Sequence, residues 1–120
     1  MADGIIPRPY VRDIDFTDRC TFPDGVPAHF FAVKHGNLVT IYYQGPNKTH
    51  AVGDVLVRVP SEFALSNGST SYSSQVHAPF VANTVGYGSV VIQGSSININ
   101  GVSSISGNSR IYFELTYPVF

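Results

Sequence analysis

From Ala28 onward the apolar residues recur at every second position, and this period constrains the fold more than any other feature of the chain. A repeat of two places successive side chains on opposite faces of a pleated strand, whereas a helix needs apolar positions three and four apart. The segments Ala28-His29-Phe30-Phe31-Ala32-Val33-Lys34 and Asn37-Leu38-Val39-Thr40-Ile41-Tyr42-Tyr43-Gln44 are rich in β-branched and aromatic residues. His35-Gly36 between them predicts a two-residue hairpin loop. No stretch offers an amphipathic helix of ordinary length.

The same reading continues down the chain. Gly45-Pro46-Asn47-Lys48-Thr49-His50 is turn chemistry, and Asp54-Val55-Leu56-Val57-Arg58-Val59 is a strand stopped by Pro60. In a regular strand Leu56 and Arg58 would face opposite to Val55, Val57 and Val59. Residues 66–71 form a polar loop, strands resume at 76–82 and 87–93, and Gly94-Ser95 turns the second of these into Ser96-Ile97-Asn98-Ile99-Asn100. A last strand runs over residues 110–117, with Ile111, Phe113 and Leu115 on one face. About seven short strands result, the pattern of an all-β antiparallel barrel or sandwich.

Charge is scarce and unevenly placed. Charged residues make up 12% of the 120, against roughly 25% in an average soluble domain. Asp3, Arg8, Arg12, Asp13, Asp15, Asp18, Arg19 and Asp24 stand in the first 24 residues, interleaved with Pro7, Pro9 and Pro23. Residues 1–27 therefore read as an extended lead-in, a linker or strap, and residues 28–120 as a single barrel domain. A net charge of −1 leaves no electrostatic footprint for nucleic acid. There is no apolar run of membrane-spanning length and no basic-then-apolar signal peptide, so neither membrane insertion nor a Sec leader is expected. The single Cys20 rules out an internal disulfide framework. With only Lys34 and Lys48 as lysines, the sheet edges call for closure or oligomerisation.

Catalytic patterns are thin. His29, His35, His50 and His77 show no His-x-His or His-x3-His spacing, so no dedicated metal site and no cofactor are expected. No serine stands in Gly-x-Ser-x-Gly. A glycosidase needs two carboxylates across one cleft, and the barrel region supplies only Asp54, Glu62 and Glu114, which read as strand-end or outward groups. The expectation is a non-enzymatic protein. Asn47-Lys48-Thr49 and Asn67-Gly68-Ser69 match the glycosylation acceptor pattern and are read as turns. The composition suits a shallow polar site, in which an aromatic face and amide or imidazole groups bind a saccharide. The candidates are Tyr87, Gln93, His77, Asn83 and Asn98, with Asn100 beside them.

A family resemblance sharpens this reading. Val57-Arg58-Val59-Pro60-Ser61-Glu62-Phe63, then Ala78-Pro79-Phe80-Val81, the Gly86-Tyr87 turn and the closing Thr116-Tyr117-Pro118 resemble the C-terminal head domain of siphophage receptor-binding proteins, best known from phages of lactococci. The hairpin over residues 30–44 fits the same pattern, and the resemblance spans residues 28–120. It implies a compact β-barrel head, a homotrimer, a place at the phage tail tip or baseplate among other tail proteins, and binding of a host cell-wall saccharide near or between protomers. Under the resemblance Tyr87 stands where a relative has a Gly-Trp turn. Gln93 falls near an aspartate of the following strand, and Val91 replaces a histidine. The competing expectation is a structural virion or baseplate assembly protein that binds no saccharide. The family's helical neck has no counterpart, since the chain contains no heptad segment.

Overall fold

The computed structural model describes residues 13–65, 75–82, 86–103 and 108–119. Among them there is no α-helix, only strands and two 3-10 turns. The strands are β1 (Asp13–Asp15), β2 (His29–His35), β3 (Leu38–Gln44), β4 (Val55–Arg58), β5 (Gln75–Ala82), β6 (Tyr87–Gln93), β7 (Ser96–Ser103) and β8 (Ile111–Pro118). They form one antiparallel sheet in the order β1-β2-β3-β8-β5-β6-β7-β4, curled into a half-barrel. The all-β class follows directly from the period of two, and seven of the strands lie where the alternation predicts them. β1 is an addition.

Local chemistry explains the hairpins. β2 and β3 pair along their whole length, from His29 with Gln44 to His35 with Leu38, and Gly36 between them takes a φ of 62°. Gly94 takes the same φ between β6 and β7. Left-handed backbone of this kind is strained for residues with a Cβ, which is why glycine opens both turns. The long-range step is β8, which pairs with all of β3 on one side and through Tyr112 and Ile111 with the end of β5 on the other. That strand joins two meanders into one sheet.

Alternation sorts the faces. Val39, Ile41 and Tyr43 of β3, Ile111, Phe113, Leu115 and Tyr117 of β8, and Val90 and Ile92 of β6 are buried on the concave side. Tyr43 stacks on Phe113 at 4.9 Å, and Tyr117 donates its hydroxyl hydrogen to the Phe63 carbonyl at 2.7 Å. In β4 the strict alternation fails. Leu56 and Val57 are both fully buried, because a bulge between Val55 and Val57 re-aims one residue against β7. Arg58 stays exposed as the alternation predicts.

The segment read as a lead-in contributes to the core. β1 pairs with β2, Phe16 is buried and stacks on Phe63 at 4.0 Å with ring planes 3° apart, and Cys20 is buried below the Thr17–Arg19 turn. Thr21 then exchanges two backbone hydrogen bonds with Arg58 of β4, the opposite edge of the sheet. The chain thus crosses from one sheet edge to the other and spans the open side of the half-barrel. The polar loop at 66–71, including Asn67-Gly68-Ser69, lies outside the described residues.

Burial pushes the Cys20 thiol up to about 11 from an ordinary 9.0, and it also raises the hydroxyls of Tyr43 and Tyr117. These groups keep their protons in the folded chain after the unfolded chain has lost them. Stability is therefore fully present below the unfolded values and falls as pH climbs through and beyond about 9. Urea midpoints measured from pH 7 to pH 11 should be flat at first and then decline; a midpoint that rises above pH 9 would contradict the burial of these three groups.

Candidate functional site

The convex face of the sheet carries a continuous row of side chains. Reading the register across five strands gives His29, Gln44, Tyr112, Val81 and Tyr87 as successive lateral partners. Directly paired residues point to the same face, so the row is a stripe perpendicular to the strands. Within it Val81 is 59% and Tyr87 63% exposed. Tyr112, half-buried, lies two strands from Tyr87, a lateral separation of about 10 Å. One step along the strands Phe31 stacks on Tyr42 at 5.5 Å, and Tyr42 pairs with Glu114. The outward aromatics thus extend over four strands.

At the Tyr87 end the row meets a hollow of about 350 Å³ lined by Tyr87, Gly88, Ser89, Gly101 and Val102. Glycines shape it. Gly88 faces the concave side, where the Phe80 ring folds over it, and a Cβ at Gly88 would lie 2.1 Å from the Gly101 carbonyl oxygen and 2.5 Å from the Phe80 ring. Two strands approach closely there because neither side chain intervenes. A bulge in β7 follows, since Ser89 pairs with Gly101 and Val90 with Ile99, leaving Asn100 extra. The Asn100 amide reaches Ser89 Oγ at 3.5 Å. An open hollow with one aromatic wall, a hydroxyl and backbone groups suits a polyhydroxylated ring: its apolar face on the tyrosine, its hydroxyls on Ser89 and Asn100.

The sequence candidates divide into two groups. His77, Val91 and Asn98 are lateral partners on β5, β6 and β7, and Gln93 follows Val91 on the same face. Tyr87 and Gln93 occupy opposite ends of β6, about 20 Å apart. His77, Gln93 and Asn98 therefore surround Val91, while Tyr87 is the one candidate among the described residues that lines the hollow. Val91 is buried although it points to the convex side. Asn83 lies outside the described residues. Tyr112, Tyr42 and Phe31 were not among the candidates; their outward parity was readable from strand alternation, but their lateral alignment with Tyr87 depends on β8 pairing with β5.

A second constellation lies near the β3–β4 connection. Asp24, His50 and Asp54 each offer one ligand-type atom, and these atoms lie within 4.8 Å of one another. Among the described residues, Glu62 pairs with Arg19 at 2.6 Å, which holds its carboxyl below the usual range, and Asp13 pairs with His35. Glu114 is exposed on the convex face. No helix among the described residues is long and apolar enough to cross a membrane.

No family model, curated protein or solved structure matches the chain.

Proposed function

We propose that this chain is a saccharide-binding head domain that acts without catalysis, carried as a homotrimer at a phage tail tip or baseplate, where it attaches the virion to a host cell-wall saccharide. The observation that carries the reading is the outward row Tyr112, Val81 and Tyr87 ending in the Ser89 and Gly101 hollow. Planar aromatics on a rigid sheet bind sugar rings with little loss of side-chain entropy. The strands that carry the row contribute one carboxylate, Glu114, whereas glycoside hydrolysis uses a pair. Exposed Leu38, Phe31 and Val102 supply apolar surface for neighbouring protomers. Three shallow sites per trimer, repeated over many trimers, would hold a surface by effective concentration.

One observation favours a second reading, a structural assembly protein that binds no saccharide. β4 and the residues before it pair with β7 only as far as Ile99, so among the described residues the outer backbone edge at 100–103 has no strand beside it. Such an edge accepts a partner strand.

One experiment separates them. The protein is titrated with a panel of bacterial cell-wall polysaccharide fragments, and its solution mass is measured by light scattering. The expected result is a mass three times the 13.0 kDa chain and binding that Tyr87→Ala weakens roughly 10- to 30-fold with the oligomer intact. A trimer that binds no fragment would favour assembly; a stable monomer with undiminished binding in Tyr87→Ala would overturn both the site and the trimer.

A further inference from the structure

The geometry points to a divalent-cation site, of the class zinc occupies, formed by Asp24, His50 and Asp54. It is independent of the saccharide reading and uses a different part of the molecule.

His50 carries the argument. Its side chain is fully buried, and Nε2 lies 3.0 Å from the Ser109 carbonyl oxygen. A carbonyl only accepts, so Nε2 bears the hydrogen, which leaves Nδ1 as the ring nitrogen that can offer a lone pair to a cation. Nδ1 has no hydrogen-bond partner. It faces Asp24 Oδ2 at 3.4 Å, and that oxygen is likewise buried and unpartnered. Two buried polar atoms that face each other without a hydrogen bond call for a positive group between them, and a divalent cation satisfies both at once.

The other oxygens hold the ligands in place. Asp24 Oδ1 accepts from Lys48 Nζ at 2.6 Å, and Asp54 Oδ2 accepts the Ala51 N–H at 2.9 Å. Each carboxylate is thus anchored by one oxygen with the other available, and the imidazole is anchored by Ser109. Outer contacts of this kind orient metal ligands. Donors about 2.0–2.2 Å from a tetrahedral ion lie roughly 3.3–3.6 Å apart, and the His50 to Asp24 separation already has that value. The Asp54 ligand atom lies within 4.8 Å of the other two.

The imidazole is a borderline donor that favours zinc, which also accepts carboxylate oxygens; calcium takes six to eight oxygens and magnesium demands an octahedron of them. A hollow of about 250 Å³ lined by Pro23, Asp24, Gly53, Asp54, Val55 and Arg58 opens on the two carboxylates and gives an ion a path from solvent. Bound there, the ion would tie the segment after β1 to the β3–β4 connection.

The test is titration of chelator-treated, full-length protein with Zn2+ by calorimetry, with Ca2+ and Mg2+ as comparisons, and with Co2+ followed by visible absorption. One zinc per chain is expected, with a tetrahedral Co2+ spectrum displaced by zinc. Asp54→Asn, which keeps a side-chain oxygen for the Ala51 N–H, should weaken zinc at least tenfold, and His50→Gln should abolish the Co2+ spectrum. His35→Ala, at an exposed histidine beside Asp13, should change neither. Absence of zinc binding, or binding retained in Asp54→Asn and lost in His35→Ala, would overturn the assignment. Tighter binding of calcium than zinc would overturn the class of ion.

Discussion

Phe16→Ala should destabilise the domain by about 3–5 kcal/mol, the cost of truncating a fully buried phenylalanine, and lower Tm by about 10 °C or more. The ring is 1% exposed and lies flat against Phe63 at 4.0 Å. It is also positional: the Phe16 N–H donates to the Ala32 carbonyl at 2.9 Å, and the Ala32 N–H donates to Thr17 Oγ1 at 3.0 Å, so Phe16 and Thr17 are both held to the same side of β2. Losing the ring removes the packing that lets the chain cross from β2 to β4. Phe63→Ala should cost a similar amount, and the double variant less than the sum of the two, because each single change already forfeits the stacked pair. Calorimetry on the four proteins measures this cycle. A Phe16→Ala effect below about 1 kcal/mol would mean that residues 13–21 contribute little to the folded barrel.

That prediction also shows where a sequence stops being informative. The hairpins at Gly36 and Gly94 are legible because turn chemistry and alternation are local, encoded within a dozen residues. Phe16 is not legible as core, since a lone aromatic among Asp13, Asp15, Asp18 and Arg19 carries no period, and its burial is decided by Phe63, 47 positions away. The β4 bulge likewise defeats alternation by inserting one residue. For the site, Tyr87 stands out as an aromatic in a glycine-flanked, uncharged strand. Its alignment with Tyr112 requires knowing that β8 lies beside β5, a pairing with no local signal. The His50 cluster is hidden for the same reason: spacing rules search along the chain, whereas Asp24 joins His50 and Asp54 only through the fold.

Two glycines of the hollow should respond in opposite ways to the same added methyl group. At Gly88 the new Cβ would sit 2.1 Å from the Gly101 carbonyl oxygen and 2.5 Å from the Phe80 ring, distances no packed carbon tolerates. Because the first obstacle is backbone, relief requires parting β6 from β7, and Gly88→Ala should cost about 3 kcal/mol with a matching fall in the denaturant midpoint. At Gly101 the nearest atom to a new Cβ is Ser89 Oγ at 3.7 Å, an ordinary contact, so Gly101→Ala should leave stability within about 1 kcal/mol of the parent. Yet Gly101 lines the hollow beside Tyr87, and the methyl would occupy space a sugar ring needs. If this hollow is the binding site, Gly101→Ala weakens polysaccharide binding in a protein that is otherwise intact, which separates loss of the site from loss of the fold. Full binding in Gly101→Ala together with a stable Gly88→Ala would show that the close approach of β6 and β7 neither supports the barrel nor shapes a ligand site.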